Sequence, residues 1–177
     1  MTIHSDKQLN ISSSHLIYHI KMYTETFLWL QGHPRPIVWD TVRNAVLEDH
    51  LIHARVLIHF MQRDSSNKED DVFAVNYFHD LPRDLMLLKN EFLENQAKKI
   101  GGQLVHLTTK SSFLKSEQEW QIGKIAISLI PAIQEFLNGV PNHRLSIEIN
   151  NECKELIKMI SSKSSASTIL LSTSSST

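Results

Sequence analysis

Apolar residues recur at helical spacing along most of the chain, and the stretches between them carry the residues that stop helices. Leu16, Ile20, Tyr23, Phe27 and Leu30 predict a first helix over 15–31, with Ser12, Ser13 and Ser14 as candidate N-caps. Gly32, Pro34 and Pro36 end it. A second helix is predicted over 37–62. Its apolar positions (Val42, Val46, Leu47, Leu51, Ile52, Val56, Leu57, Ile58, Phe60, Met61) cover most of the circumference, the pattern of a helix central to its bundle. The charged run 63–71 reads as a loop, and 72–79 carries no clear pattern.

Pro82 suits the first turn of a third helix reaching 107, with Gly101 and Gly102 inside it. Ser116 and Glu119 form a capping-box pattern ahead of a fourth helix over 117–137, which Pro131 is expected to kink. A short fifth helix is expected over 150–160. From Ser161 the chain is rich in Ser and Thr and is expected to be a disordered tail. The predicted organisation is a flexible 1–11, a single helical-bundle domain over 12–160, and a tail over 161–177. The fold class is all-α, a four- to five-helix bundle.

Composition supports this. Five glycines and five prolines in 177 residues leave few tight turns for a sheet protein. A formal charge of −1 supplies no global field to attract nucleic acid. No apolar run approaches the roughly 18–20 residues that span a bilayer, so no membrane association is expected. Cys153 stands alone, which excludes an internal disulfide and a multi-cysteine zinc site. It fits a reducing compartment, and the expected location is cytoplasmic. No cofactor is expected.

Three polar constellations stand out. Glu48, Arg55 and His59 share one direction on the second helix, as a register-holding pair, a dimer interface or a polar cleft. His50 and His53, with Asp49, share neighbouring turns of the same helix. They could hold a divalent metal, although no Glu-x-x-His or HExxH pattern accompanies them. Asn95, Lys99, Gly102 and His106 fall on one line of the third helix. A lysine and a histidine beside a glycine could bind or cleave a phosphodiester, or the glycines could simply admit a second helix.

Two spacings carry a resemblance. Arg43-Asn44-x5-His50 and Lys99-x6-His106, with the phrases LIHARVLIHF and KKIGGQLVHLTTK, resemble the HEPN superfamily over residues 13–140. That resemblance implies a compact helical bundle that dimerises. It also implies a metal-independent endoribonuclease of a toxin–antitoxin or defence system, with Arg43, His50, Lys99 and His106 as catalytic residues and RNA as partner. Lys99 stands where the family's motif has arginine, as a non-catalytic member would show. The competing expectations are a dimerising helical module that binds a protein or nucleotide, and a histidine-rich metal-binding bundle.

Overall fold

The computed structural model describes residues 4–32, 40–62, 71–78, 90–105 and 120–173; side chains after Ser161 lie outside the described set. The architecture is an all-helical bundle: α1 (Asp6–Gly32), α2 (Asp40–Gln62), a 3-10 turn (Ala74–Tyr77), α3 (Glu91–Ile100), α4 (Ile122–Gly139) and α5 (Ile147–Thr173). No strand occurs among the described residues. No helix of that set is long and apolar enough to cross a membrane.

α1 begins nine residues earlier than the periodicity predicts. Ser5 and Gln8 exchange hydrogen bonds at the helix start. The Ser5 amide donates to Gln8 Oε1 (2.8 Å) and the Gln8 amide to Ser5 Oγ (3.3 Å). This reciprocal pair satisfies two amides that the first turn leaves free. Residues 6–11 are therefore helical rather than loose, and Leu9 is fully buried. Ser13 is not a cap. It is buried in the helix and donates back to the Leu9 carbonyl (2.9 Å), a local bond open to serine in mid-helix.

α1 packs along α2 on one side and α5 on the other. α4 closes against α5, and α3 lies against α2. α2 touches most of the bundle but is not buried all round. Leu51, Ala54, Leu57, Ile58 and Met61 face the core, while Val42, Ile52 and Val56 are exposed. The helical projection counted apolar side chains without knowing which neighbours would cover them.

The described part of the third helix opens at Asn90, whose side chain accepts from the Leu93 amide (3.3 Å). Glu91 and Glu94 sit in its first turn and Lys98 and Lys99 in its last, as the helix dipole favours. The helix then widens into a π-helical turn, Gly101–Val105. Residues 82–89, 106 and 107, and the expected Ser116–Glu119 cap, lie outside the described set. The described Trp120 and Gln121 are not helical, so α4 opens at Ile122 and not within the predicted 117–121; Ile125, Leu129, Ile133, Phe136 and Leu137 are buried and Pro131 lies inside it. α5 opens at Ile147, three residues before the predicted 150. Among the side chains described, the last core residue of α5 is Ile160, and its backbone helix runs on through the Ser/Thr-rich segment to Thr173.

Two assemblies close the bundle. Phe60, Tyr77 and Phe136 meet edge-to-face at 5.2–6.0 Å between centroids, and Phe78 joins Phe136 at 5.9 Å. Such pairs add ~0.5–1.5 kcal/mol beyond area burial. The buried Arg144 reaches three segments. Its Nε lies 2.9 Å from Asp6 Oδ1, its guanidinium donates to the Asn76 carbonyl (3.0 Å), and its own carbonyl lies 3.4 Å from Ser13 Oγ.

Because Leu9 is a core residue, Leu9→Ala should destabilise the chain by about 2–5 kcal/mol in urea unfolding. A change under about 0.5 kcal/mol would mean that the first helical turns do not pack.

Candidate functional site

The α1–α2 seam holds an unusual number of imidazoles. His50 is completely buried and stacks on Tyr23 (4.5 Å between centroids, planes 18° apart). The Thr26 hydroxyl donates to the Met22 carbonyl at 2.6 Å, which leaves its oxygen to accept from His50 Nδ1–H at 3.1 Å. The opposite nitrogen, Nε2, has no partner among the described side chains. Burial pulls the His50 pKa down to about 4, against a weaker opposing contribution from a hydrogen bond with the Tyr23 backbone.

His53, one turn further on, is also buried. Its Nδ1 lies 2.8 Å from Nδ1 of His19 on α1, and its Nε2 lies 3.4 Å from Asp49 Oδ1. Tyr18 meets both rings edge-on, at 5.4 Å from His19 and 5.5 Å from His53. Burial lowers the pKa of His19, with His53 and His15 pushing the same way. Burial also lowers that of His53, while Asp49 opposes it.

His19 also lines a groove of about 430 Å³. α1 contributes Ser12 and His15 beside it. α2 contributes Val56, His59 and Phe60, and the segment Asp71–Phe73 with Tyr77 forms the far wall. His4 Nε2 lies 3.1 Å from the Asp71 carbonyl at the groove's edge. The volume falls in the range of small-molecule sites, and the lining mixes apolar rings with a few convergent polar groups.

The structure separates the residues that spacing had grouped. Of the four expected catalytic residues, His50 lies in the core and Arg43 is half-buried on the same helix. Lys99 is half-buried with its ammonium 4.5 Å from the centre of the Trp120 ring. His106 lies outside the described residues. The π-helical turn at Gly101–Val105 also breaks the straight line that α-helical spacing drew from Lys99 towards His106.

The wedge of Glu48, Arg55 and His59 divides as well. Glu48 is exposed and forms no ion pair among the described residues. Arg55 lies across Gly101, where a methyl group would come within 3.2 Å of its Nε. His59 turns to the groove. His50 and His53 do not share a centre, and among the described residues no three His, Cys, Asp or Glu side chains are placed so that they could hold a metal ion together.

Sequence reasoning passed over His15, His19 and Tyr18. Their signal was available as paired spacing: His15 and His19 are i, i+4 on α1, and Asp49 and His53 are i, i+4 on α2. No family model, curated protein or solved structure matches the chain.

His50 supplies a pH test. The fold keeps it neutral down to about pH 4, whereas the unfolded chain protonates near 6.5. Stability from this residue is complete above 6.5 and is lost as pH falls through the window to about 4, by ~3 kcal/mol in full. Urea unfolding of His50→Phe should show a shallower loss between pH 7.5 and 5 than wild type. Parallel curves would mean that His50 is not the neutral buried group.

Proposed function

We propose that the chain is a helical binding module whose ligand site is the α1–α2 groove, and that the ligand is a nucleotide or similar small planar heteroaromatic. The observation that carries this reading is the groove's lining. The partly buried Phe60 ring offers apolar surface to a planar base, the buried Phe73 and Tyr77 rings back the wall behind it, and His15, His19 and His59 bring imidazoles to the groove.

The ribonuclease reading draws little support from the expected residues. A general acid or base must reach the proton it moves, and His50 is sealed between Tyr23, Thr26 and Phe27. Titration calorimetry with AMP and GMP should give saturable one-site binding, weakened at least tenfold by His59→Ala with an unchanged circular dichroism spectrum. Single-stranded RNA incubated with the chain should stay intact. Absence of binding to either nucleotide would overturn the proposal. RNA cleavage abolished by His50→Phe would return the function to the Arg43–His50 pair.

Homodimerisation through α2 is favoured by one observation. Val42 and Ile52 are 44% and 43% exposed on a helix whose opposite face packs into the bundle. Light scattering should report a dimer that Ile52→Glu converts to monomer. A monomer at 100 µM in the wild type would remove this reading.

A further inference from the structure

The His19–His53 contact sets where protons sit. Two imidazole nitrogens 2.8 Å apart need one hydrogen between them: with none, two lone pairs face each other, and with two, both donate into the same gap. Asp49 decides which arrangement holds. Its carboxylate accepts only, so the His53 nitrogen it faces, Nε2, is the protonated one. His53 Nδ1 then carries a lone pair and accepts from His19 Nδ1–H. The chain of donors leaves the lone pair of His19 on Nε2, and His19 is the member of the trio that lines the groove.

We infer that Asp49, His53 and His19 form a proton relay that makes His19 Nε2 a general base of the α1–α2 groove, acting on a small planar ligand that carries a removable proton. The inference rests on the groove being a ligand site. Asp49 and His53 are positioning residues, and His19 is the residue that meets the ligand. When Nε2 takes a proton, His19 becomes a cation. Its Nδ1–H bond to His53 strengthens, and the Nε2–H that His53 already directs at the Asp49 carboxylate strengthens with it. The charge is spread along the trio instead of standing alone in a dry seam.

The groups around the pair suit this role. Tyr18 braces both rings at their edges. Among titratable groups, His15 stands beside His19 on α1, Asp49 and His59 belong to α2, and Asp71 lies on the far wall. Burial keeps the pair neutral, so the base is free near neutral pH. Asp49 is the solvent end of the relay, with a side chain 40% exposed, while the His53 side chain is 6% exposed.

A planar test substrate reads a pocket base directly. In 5-nitrobenzisoxazole the base removes the proton on carbon, the C–H electron pair forms the nitrile, the N–O bond breaks, and the oxygen leaves as a coloured phenolate. The proton held on His19 then passes to water. The full-length chain should accelerate this reaction, and His19→Phe should lower the rate at least tenfold. His143→Ala, an exposed histidine outside the groove, should leave it unchanged.

Asp49→Asn should lower the plateau rate and move the midpoint of the rate–pH profile to lower pH, because the carboxylate that favours the protonated pair is gone. Asp49→Glu should restore the wild-type midpoint. Imidazole nitrogen NMR, which needs no ligand, should show the His19–His53 pair, already sharing the Nδ1–H, taking up one further proton on His19 Nε2 before any second.

A loss of rate in Asp49→Asn with an unmoved midpoint would overturn the relay. So would two independent histidine titrations near 6.5, or a rate indifferent to His19→Phe. These outcomes are separable from the nucleotide proposal: a chain that binds no nucleotide can still show the shared proton, and one that binds AMP can still show two separate titrations.

Discussion

The seam between α1 and α2 imposes one constraint on the rest of the molecule: two of its imidazoles, His50 and His53, are held out of water, so burial favours their neutral forms and each is anchored through Nδ1 in one orientation. His50 meets that demand against Thr26 and the Tyr23 ring, and His53 meets it against His19 and Asp49. A sliding or rotation of either helix by one residue would break both sets of bonds at once and strand polar atoms in the core, at ~1–3 kcal/mol each. Apolar side chains alone would not impose such a penalty, because leucines repack more readily than imidazoles find new partners. The seam thus sets the register of the hairpin onto which α3 and α5 pack.

The remaining elements seal the ends of that hairpin. The Phe60–Tyr77–Phe136 cluster joins α2, the 3-10 turn and α4. The buried arginine draws together the start of α1, the 3-10 turn and the loop before α5. The groove lies between these two well-packed regions and the histidine seam. Its walls are therefore fixed by groups whose own partners are already determined, which is the condition for a pre-formed site.

Periodicity located α1, α2 and α4 because their buried stripes are long, α5 was expected only over 150–160 of its Ile147–Thr173, and the scarcity of glycine and proline pointed to helices from the start. Helix ends were harder. Three consecutive serines at 12–14 offered a more obvious start than Ser5 and Gln8, whose bond is visible only once both backbone positions are known. The site was less legible than the fold. A histidine at helical spacing looks the same whether it faces water or a tyrosine, so Arg43–His50 read as chemistry when His50 is a core residue. The His19–His53 pair depends on how α1 is rotated against α2, which no spacing within one helix reports. The three members of the α2 wedge meet three different surroundings, solvent for Glu48, Gly101 for Arg55 and the groove for His59, which spacing along one helix does not report.

The Asp6–Arg144 contact joins residues 138 positions apart in sequence, and it does so through the first residue of α1. Topologically this turns a linear stack of helices into a closed loop, with the opening turn of α1 acting as the clasp for the α4–α5 connection. Proteolytic trimming of the first helical turn would withdraw a carboxylate from a guanidinium that stays buried, and the damage would surface at the far end of the chain. The amino-terminal residues therefore belong to the architecture of the last helix as much as to that of the first.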